Sequence, residues 1–204
     1  MNKIFAHCRL PKKEVEILKE KFFLKTHSSK NLILSENDFF EKAKGFNGII
    51  SQGNVINKKF INYNKKCLRA ISNVGVGYDN IDVEAATKNG IAVFNTPNIM
   101  NHAVADLTIG LIIAISRKIC LGNNYIKNKN WTGNSWDLFW GDNLQEEKLG
   151  IIGLGNIGKE LAIRAKSFGL KIYYHNRKKL KNSIEKKYAA KYLEFEELIS
   201  ICKF

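Results

Sequence analysis

The sequence is poor in proline and cysteine and contains no long apolar run. Its longest apolar stretch, 107–115, is too short to cross a bilayer, so we expect no membrane partner. The first residues lack the apolar core of a signal peptide. No C-x-x-C pair occurs, which predicts reduced thiols in a cytoplasm and no metal site. The four cysteines stand far apart, at Cys8, Cys67, Cys120 and Cys202.

Acidic residues are also scarce, with 19 Asp and Glu against 33 Lys and Arg and a formal net charge of +14. This charge invites a nucleic-acid interpretation. However, base-edge recognition favours arginine, which is rare here, and no basic stretch alternates with aromatic residues. We therefore expect no nucleic-acid partner, although the charge would speed the capture of anionic substrates.

A dinucleotide fingerprint, G-x-G-x-x-G, occupies residues 153–158. The pattern indicates a phosphate site only where it closes a strand and opens a helix. Residues 148–152 form a short apolar run typical of a buried parallel strand. Gly169 stands where the following helix would end, and a β-rich run at 170–174 completes a β-α-β unit. Four apolar residues recur on one face of that helix: Leu161, Ala162, Ala165 and Phe168.

Each glycine of the fingerprint is expected to have its own structural role. Gly153 permits the tight turn, Gly155 lets a pyrophosphate approach the backbone, and Gly158 lets the helix pack closely on the strand. The free N–H groups and the positive end of a helix starting near Ile157 would attract the pyrophosphate. A glycine turn without a ligand is the alternative.

The end of the second strand discriminates between NAD and NADP. In NAD sites an acidic residue there accepts hydrogen bonds from the ribose and repels a 2′-phosphate. This sequence instead has His175, Asn176 and Arg177, followed by Lys178 and Lys179. These cations could bind a 2′-phosphate, so we favour NADP over NAD as cofactor. A solvated lysine run is the alternative interpretation.

The first hundred residues alternate strand and helix signals. Helices are predicted from Pro11, after a capping box at 35–38, and between Asp82 and Gly90. Such alternation makes a small parallel α/β domain. Strands are predicted at 3–8, 23–26, 48–51, 69–73 and 91–94.

In such sheets, ligands bind beyond the carboxyl ends of the strands. The loops at 51–53 and 73–77 would lie there. In the second loop, Gly75 and Gly77 allow backbone N–H groups to converge on an anion such as a carboxylate. A plain glycine turn is the alternative.

One long helix is predicted from Ala103 to about Asn123, around Leu107, Leu111, Ile112 and Ile115. A polar segment with four large aromatic residues follows. These aromatics favour a surface buried against another subunit, with packing between domains as the alternative. They are Trp131, Trp136, Phe139 and Trp140.

Five ordered motifs together resemble the D-isomer-specific 2-hydroxyacid dehydrogenases, especially the glyoxylate and hydroxypyruvate reductases. They are NVGVGYDNID at 73–82, NTPN at 95–98, AVADLT at 103–108, LGIIGLGNIG at 149–158 and YHNR at 174–177. The resemblance covers essentially the whole chain. It implies an α/β fold in which a flavodoxin-like parallel-sheet substrate domain is followed by an incomplete Rossmann dinucleotide-binding domain.

The resemblance also implies domain limits and site residues. The substrate domain would occupy 1–100 without its C-terminal return, and the first half of the Rossmann domain would occupy 101–204, with a cleft between them. Val76 and Gly77 would offer backbone donors to the substrate carboxylate. The cofactor residues would be Val104 on the nicotinamide side, Asn156 and Ile157 on the pyrophosphate, and Asn176 with Arg177 at the adenosine ribose.

Family members reduce a small 2-oxo acid, such as glyoxylate or hydroxypyruvate, by hydride transfer from NAD(P)H. The family's catalytic Arg and its His–Glu pair lie beyond the adenosine-binding strand, whereas no arginine or histidine follows Arg177 here. We therefore expect a C-terminally truncated member with no catalytic residue in the chain. Loss of the proton donor alone costs about 10² to 10⁴ in rate, so little turnover is expected.

Two other interpretations remain open. The chain could be a non-catalytic fragment that binds a nucleotide or a partner, or a gene fragment made by a frameshift. Members of the family use the tryptophan-bearing region in dimer contacts, so a homodimer is expected if the chain folds.

Overall fold

The computed structural model describes residues 1–27, 33–133 and 137–204. The chain divides into two compact units, Met1–Asn98 (unit 1) and Ile99–Phe204 (unit 2). Trp136, one of the tryptophans expected at an interface, lies outside the described residues.

Unit 1 is built on a parallel sheet, as the sequence predicts. Its described strands lie in the order β2-β1-β3-β4-β5, which is the flavodoxin-like order. They are β1 (Lys3–His7), β2 (Phe23–Thr26), β3 (Gly48–Ser51), β4 (Ala70–Asn73) and β5 (Ala92–Phe94). Phe5, Ile49 and Ile71 of the central strands are almost completely buried and form the middle of the core.

Four helices of unit 1 connect these strands: α1 (Lys12–Lys21), α2 (Glu36–Ala43), α3 (Lys58–Asn64) and α4 (Val83–Lys88). The predicted caps of α2 and α4 are confirmed, since Ser35 accepts from the Asp38 N–H and Asp82 accepts from the Ala85 N–H. Helix α3 was not predicted. It is capped by Asn57, whose side chain accepts from the Phe60 N–H at 3.0 Å.

Unit 2 contains a parallel sheet in the order β6-β7-β8, the strand arrangement expected for the first half of a Rossmann domain. Its strands are β6 (Lys148–Ile152), β7 (Lys171–His175) and β8 (Ala190–Tyr192). Its helices are α5 (Asn101–Ser116), α6 (Ile119–Lys127), α7 (Asn156–Ser167), α8 (Asn182–Tyr188) and α9 (Phe195–Ile201).

The single helix predicted from 103 to about 123 is wrong. Two helices, α5 and α6, replace it, because Lys118 takes a left-handed backbone conformation with φ of 53°. Most of the apolar residues around which that helix was predicted lie on an exposed face. Leu107, Leu111 and Ile115 are 63%, 53% and 74% exposed, whereas α5 buries its Ala105 face.

Two smaller differences concern the first β-α-β unit. Phe168, expected on the buried face of the helix after the glycine loop, lies beyond the end of α7 and is exposed. The β6 edge of the sheet, which an incomplete Rossmann domain would leave open, is partly covered. Lys203 donates its N–H to the Lys148 carbonyl at 3.1 Å, and the Gly150 N–H donates to the Phe204 carbonyl at 2.8 Å.

Of the helices in the described ranges, none combines the length and the apolar character needed to cross a membrane.

Candidate functional site

The glycine loop lies between the end of β6 and the start of α7. Gly153 has a backbone φ of 98°, a conformation that residues other than glycine rarely adopt. A Cβ on Gly158 would overlap the Gly153 carbonyl oxygen and lie 3.2 Å from Ile151 Cγ2. At Gly155, nothing stands within 4 Å of the position that a Cβ would take. Close packing therefore leaves no room for a side chain at position 158, while the space above Gly155 is open.

The N-terminus of α7 is suited to an anion. Gly155 occupies the N-cap position, so no side chain caps the helix, and its first turn contains no acidic residue. The first N–H groups of a helix have no partner inside the helix and carry a partial positive charge. These amide groups can therefore bind a phosphate group that lies above Gly155.

A cavity of about 720 Å³ opens at this loop. Asn176, at the end of β7, is fixed there because its Oδ1 accepts a hydrogen bond from the Leu154 N–H at 2.8 Å. Arg177 and Lys178 are exposed and form no ion pair within the described ranges. The cavity is lined by Ile152, Gly153, Gly155, His175, Asn176, Arg177 and Lys178.

The cavity has a basic rim on the side where β7 ends. The nearby carboxylate of Glu185 is already engaged, since it accepts from the Tyr174 hydroxyl at 3.0 Å and lies 3.8 Å from Lys179 Nζ. Among the lining residues there is no acid. The electrostatic environment thus favours a ligand with additional negative charge at this end.

Of two further lining residues, the sequence analysis missed Ile152 and considered His175 only as part of the segment that ends the second strand. Ile152, the last residue of β6, is 65% exposed although it ends an apolar run. His175, the last residue of β7, places its Nδ1 3.0 Å from the Leu193 carbonyl oxygen and its ring against Phe195. Both end a parallel strand, and that position was the available signal.

The other predicted cofactor residues do not line this cavity in the described part of the chain. Asn156 is exposed and Ile157 is half-buried, and both belong to the first turn of α7. Val104 is half-buried on α5, where its carbonyl accepts from the Thr108 hydroxyl at 2.8 Å.

Helices α5 and α7 are joined by a charged cluster that the sequence analysis did not anticipate. Arg164 Nη1 lies 2.8 Å from Glu160 Oε2, and Arg164 Nε also donates to Asp106. His102 Nδ1 lies 2.9 Å from the same Glu160 oxygen. The hydrogen bond from Arg164 lowers the pKa of Glu160, which keeps this carboxylate of α7 charged.

The two predicted substrate residues lie in unit 1, on the loop that follows β4. Val76 and Gly77 are exposed, and within the described residues neither backbone N–H donates a hydrogen bond. The loop is anchored at its start, where the Val74 N–H donates to the Ser51 carbonyl at 2.8 Å. Asp79 Oδ2 lies 3.9 Å from the position of a Cβ on Gly77.

Two parallel α/β units, one carrying a glycine loop that opens a helix and a basic strand end beside it, define a dinucleotide-binding α/β protein. The particular family follows from the sequence. The chain belongs to the D-isomer specific 2-hydroxyacid dehydrogenases, since the model of that family's catalytic domain matches residues 4–197.

Known relatives agree with this assignment. A glyoxylate reductase of Pyrococcus furiosus is 32% identical over 206 residues, which cover 99% of this chain and 61% of that protein. The solved structure of the TT0316 protein from Thermus thermophilus matches with a TM-score of 0.86 and 30% identity, over 98% of this chain and 62% of that one. A glyoxylate reductase structure from Paecilomyes thermophila gives a TM-score of 0.79 and 31% identity, with 98% and 62% coverage.

The chain therefore spans 61% of the length of the Pyrococcus furiosus relative. The resemblance seen in the sequence is confirmed at the level of the family and the fold.

Proposed function

We propose that the protein is an NAD(P)-dependent oxidoreductase that reduces a small 2-oxo acid, such as glyoxylate or hydroxypyruvate, to the 2-hydroxy acid. The observation that carries the proposal is the open cavity above Gly155, at the uncapped start of α7. The nicotinamide of the cofactor would supply the hydride. The residues of this chain would bind and orient the cofactor and the substrate.

The residues of unit 2 fit a dinucleotide. The space above Gly155 admits a pyrophosphate close to the backbone, where the α7 amides can donate hydrogen bonds. Arg177 and Lys178 lie where the adenosine ribose would be expected, and no lining acid would repel a 2′-phosphate. This supports NADP as the preferred cofactor.

Calorimetric titration of the chain with NADPH and NADH tests the cofactor. We expect NADPH to bind about tenfold or more tightly, because charge-assisted hydrogen bonds to a phosphate contribute about 1.5–3 kcal/mol. Equal affinities, or tighter binding of NADH, would overturn the preference. Binding of neither nucleotide would overturn the dinucleotide site itself.

The substrate would be held by its carboxylate. The exposed N–H groups of Val76 and Gly77 have no acceptor within the described residues, and paired backbone N–H groups are suited to a carboxylate. The name of the Pyrococcus furiosus relative supports glyoxylate as the first substrate to test.

Residues 1–204 on their own would bind the cofactor with little turnover. No arginine or histidine follows Arg177, and the histidines of unit 2 are already placed elsewhere: His102 pairs with Glu160 and His175 contacts Leu193. Glyoxylate-dependent NADPH oxidation by the purified chain tests this. Turnover within tenfold of an ordinary dehydrogenase, on the order of 1–10³ per second, would refute it.

The second candidate function is nucleotide binding without catalysis. The same cavity favours it, because its lining is complete within unit 2. NADPH binding that is unaffected by glyoxylate, together with no binding of glyoxylate itself, would support this function over the reductase.

A homodimer is the proposed assembly. Leu107, Leu111 and Ile115 form an exposed apolar stripe on α5, and Ile126 on α6 is 63% exposed. Contiguous exposed apolar surface of this kind marks interaction sites. Sedimentation velocity should give a dimer that Leu111→Glu converts to a monomer, while Ile17→Glu on α1 leaves the dimer intact. A monomeric unsubstituted chain would contradict the proposal.

A further inference from the structure

The loop from Gly75 to Gly77 has its three consecutive carbonyl oxygens held by three separate donors. The Thr96 N–H donates to the Gly75 carbonyl at 3.0 Å. Asn95 Nδ2 donates to the Val76 carbonyl at 2.9 Å. Asn73 Nδ2 donates to the Gly77 carbonyl at 2.6 Å.

A hydrogen bond that fixes the direction of one residue's carbonyl also fixes the direction of the N–H of the next residue. In a trans peptide the C=O of one residue and the N–H of the next share a plane and point in opposite directions, and the described chain has no cis peptide. The bond from Thr96 therefore aims the Val76 N–H, and the bond from Asn95 aims the Gly77 N–H. Because both donors come from adjacent residues after β5, both N–H groups point away from that segment.

Asn73 fixes the far end of the same loop. Its side chain is buried, and Nδ2 lies 3.3 Å from the position of a Cβ on Gly75. Within the described residues its Oδ1 has no hydrogen-bond partner, although the atom is buried. Natural proteins seldom leave a buried acceptor unpaired. The Asn73 amide is oriented so that Nδ2 donates to the Gly77 carbonyl, and this same orientation leaves Oδ1 unpaired.

We propose that Asn95 and Asn73 are positioning residues for a substrate carboxylate bound at the Val76 and Gly77 N–H groups. Asn95 fixes the peptide plane that carries the Gly77 N–H, and Asn73 anchors the following peptide, so that Gly77 itself stays in place. Neither side chain needs to touch the substrate. The inference rests on the proposed carboxylate site at Val76 and Gly77. It adds that the site is organised before the ligand arrives.

The test is an NMR titration of the ¹⁵N-labelled chain with glyoxylate, followed at the amides of Val76 and Gly77. Asn73→Asp and Asn95→Asp keep the size of the side chain but place an oxygen against a carbonyl oxygen. Each should weaken glyoxylate binding about tenfold or more, because a misdirected hydrogen bond to a charged group is lost. Asn62→Asp, an exposed control in the same unit with the same charge change, should stay within about twofold.

Asn95→Ala removes the donor without adding charge. Because Asn95 is only half-buried, this variant can test the proposal even if the Asn73 variants fail to fold. It should also weaken glyoxylate binding. Titration with glycolaldehyde, which lacks the carboxylate, should not shift the Val76 and Gly77 amides in any form of the chain.

The outcomes separate the two proposals. If the unsubstituted chain binds glyoxylate at these amides and the Asn variants bind equally well, the positioning role is overturned and the carboxylate site stands. A lower unfolding midpoint with an unchanged glyoxylate dissociation constant also overturns the positioning role, since it shows a structural role alone. If glyoxylate shifts neither amide in the unsubstituted chain, the carboxylate site fails and the positioning role fails with it.

Discussion

The side chain of Asn176 accepts a hydrogen bond from the backbone N–H of Leu154 at 2.8 Å. This bond ties the end of β7 to the middle of the glycine loop. Leu154 is almost completely buried, so its N–H has no access to solvent as an alternative partner. The residue expected at the adenosine ribose thus also supports the loop that would hold the pyrophosphate.

Asn176→Ala should therefore destabilise unit 2 and weaken NADPH binding together. Leaving the Leu154 N–H buried and unpaired costs about 1–3 kcal/mol. Chemical denaturation and hydrogen exchange of the Leu154 amide measure the effect. Asn176→Asp keeps the acceptor oxygen and should retain the stability, while its charge shifts the preference toward NADH. An Ala variant as stable as the parent chain would contradict the supporting role.

Gly158→Ala and Gly155→Ala should separate folding from binding. A Cβ at position 158 overlaps the Gly153 carbonyl, so the first variant should lose about 1–3 kcal/mol of stability. A Cβ at position 155 meets nothing within 4 Å, so the free energy of unfolding of that variant should lie within about 0.5 kcal/mol of the parent value. Its NADPH affinity should nevertheless fall, since the methyl group occupies the pyrophosphate approach. Denaturation and calorimetry on both variants check this, and unchanged NADPH binding by Gly155→Ala would refute it.

Arg177→Ala should raise the dissociation constant for NADPH about tenfold, because a charge-assisted contact to the 2′-phosphate is lost. NADH, which lacks that phosphate, should bind as before. Lys166→Ala removes a charge from an exposed position at the other end of α7 and serves as the control. Parallel losses of NADPH and NADH binding in Arg177→Ala would show that the side chain contributes no selectivity.

His7 should make unit 1 sensitive to acid. Its ring is 2% exposed and stacks on His27 with a centroid distance of 5.2 Å. Burial, assisted by His27 and Lys42 and opposed by Asn54, lowers the pKa of His7 below the ordinary value of 6.5. The unfolded chain then binds more protons than the folded chain, so this contribution to stability is present above pH 6.5 and is lost as the pH falls below it.

Unfolding free energies measured by denaturant between pH 5 and 8 test this prediction. The slope contributed by His7 should approach about 1.4 kcal/mol per pH unit at its steepest. His7→Phe, which keeps the stacked ring, should flatten that slope. Asn62→Gln, an exposed and non-titratable control in the same unit, should leave it unchanged. A pH profile of His7→Phe that matches the parent chain would contradict the assignment.

Much of the fold could be predicted because its signals are local. Ser35 and Asp82 mark helix starts by their capping chemistry, and short apolar runs between turn residues mark the parallel strands. Helix α3 escaped prediction because, unlike the comparably short α4 that Gly90 follows, it has no glycine to mark its end. The break between α5 and α6 escaped because a lysine, Lys118, takes the left-handed conformation that glycine usually signals.

The site was predicted only in part. The glycines of the loop and the cations after β7 follow from sequence spacing. The exposure of Leu107 and Leu111 on α5 could not be predicted, because an apolar stripe has the same pattern whether it packs inward or faces solvent. The link between Arg164 and Asp106 joins residues of two helices and has no local signature.

By itself, the sequence determined the order of the strands, the position of the glycine loop and the basic end of the next strand. These depend on residues that are neighbours in the chain. Only the tertiary structure decided that Asn176 supports Leu154 and that Asn73 and Asn95 hold one loop between them. The reason is that parallel pairing brings the carboxyl ends of distant strands to one edge of a sheet, where side chains far apart in sequence meet.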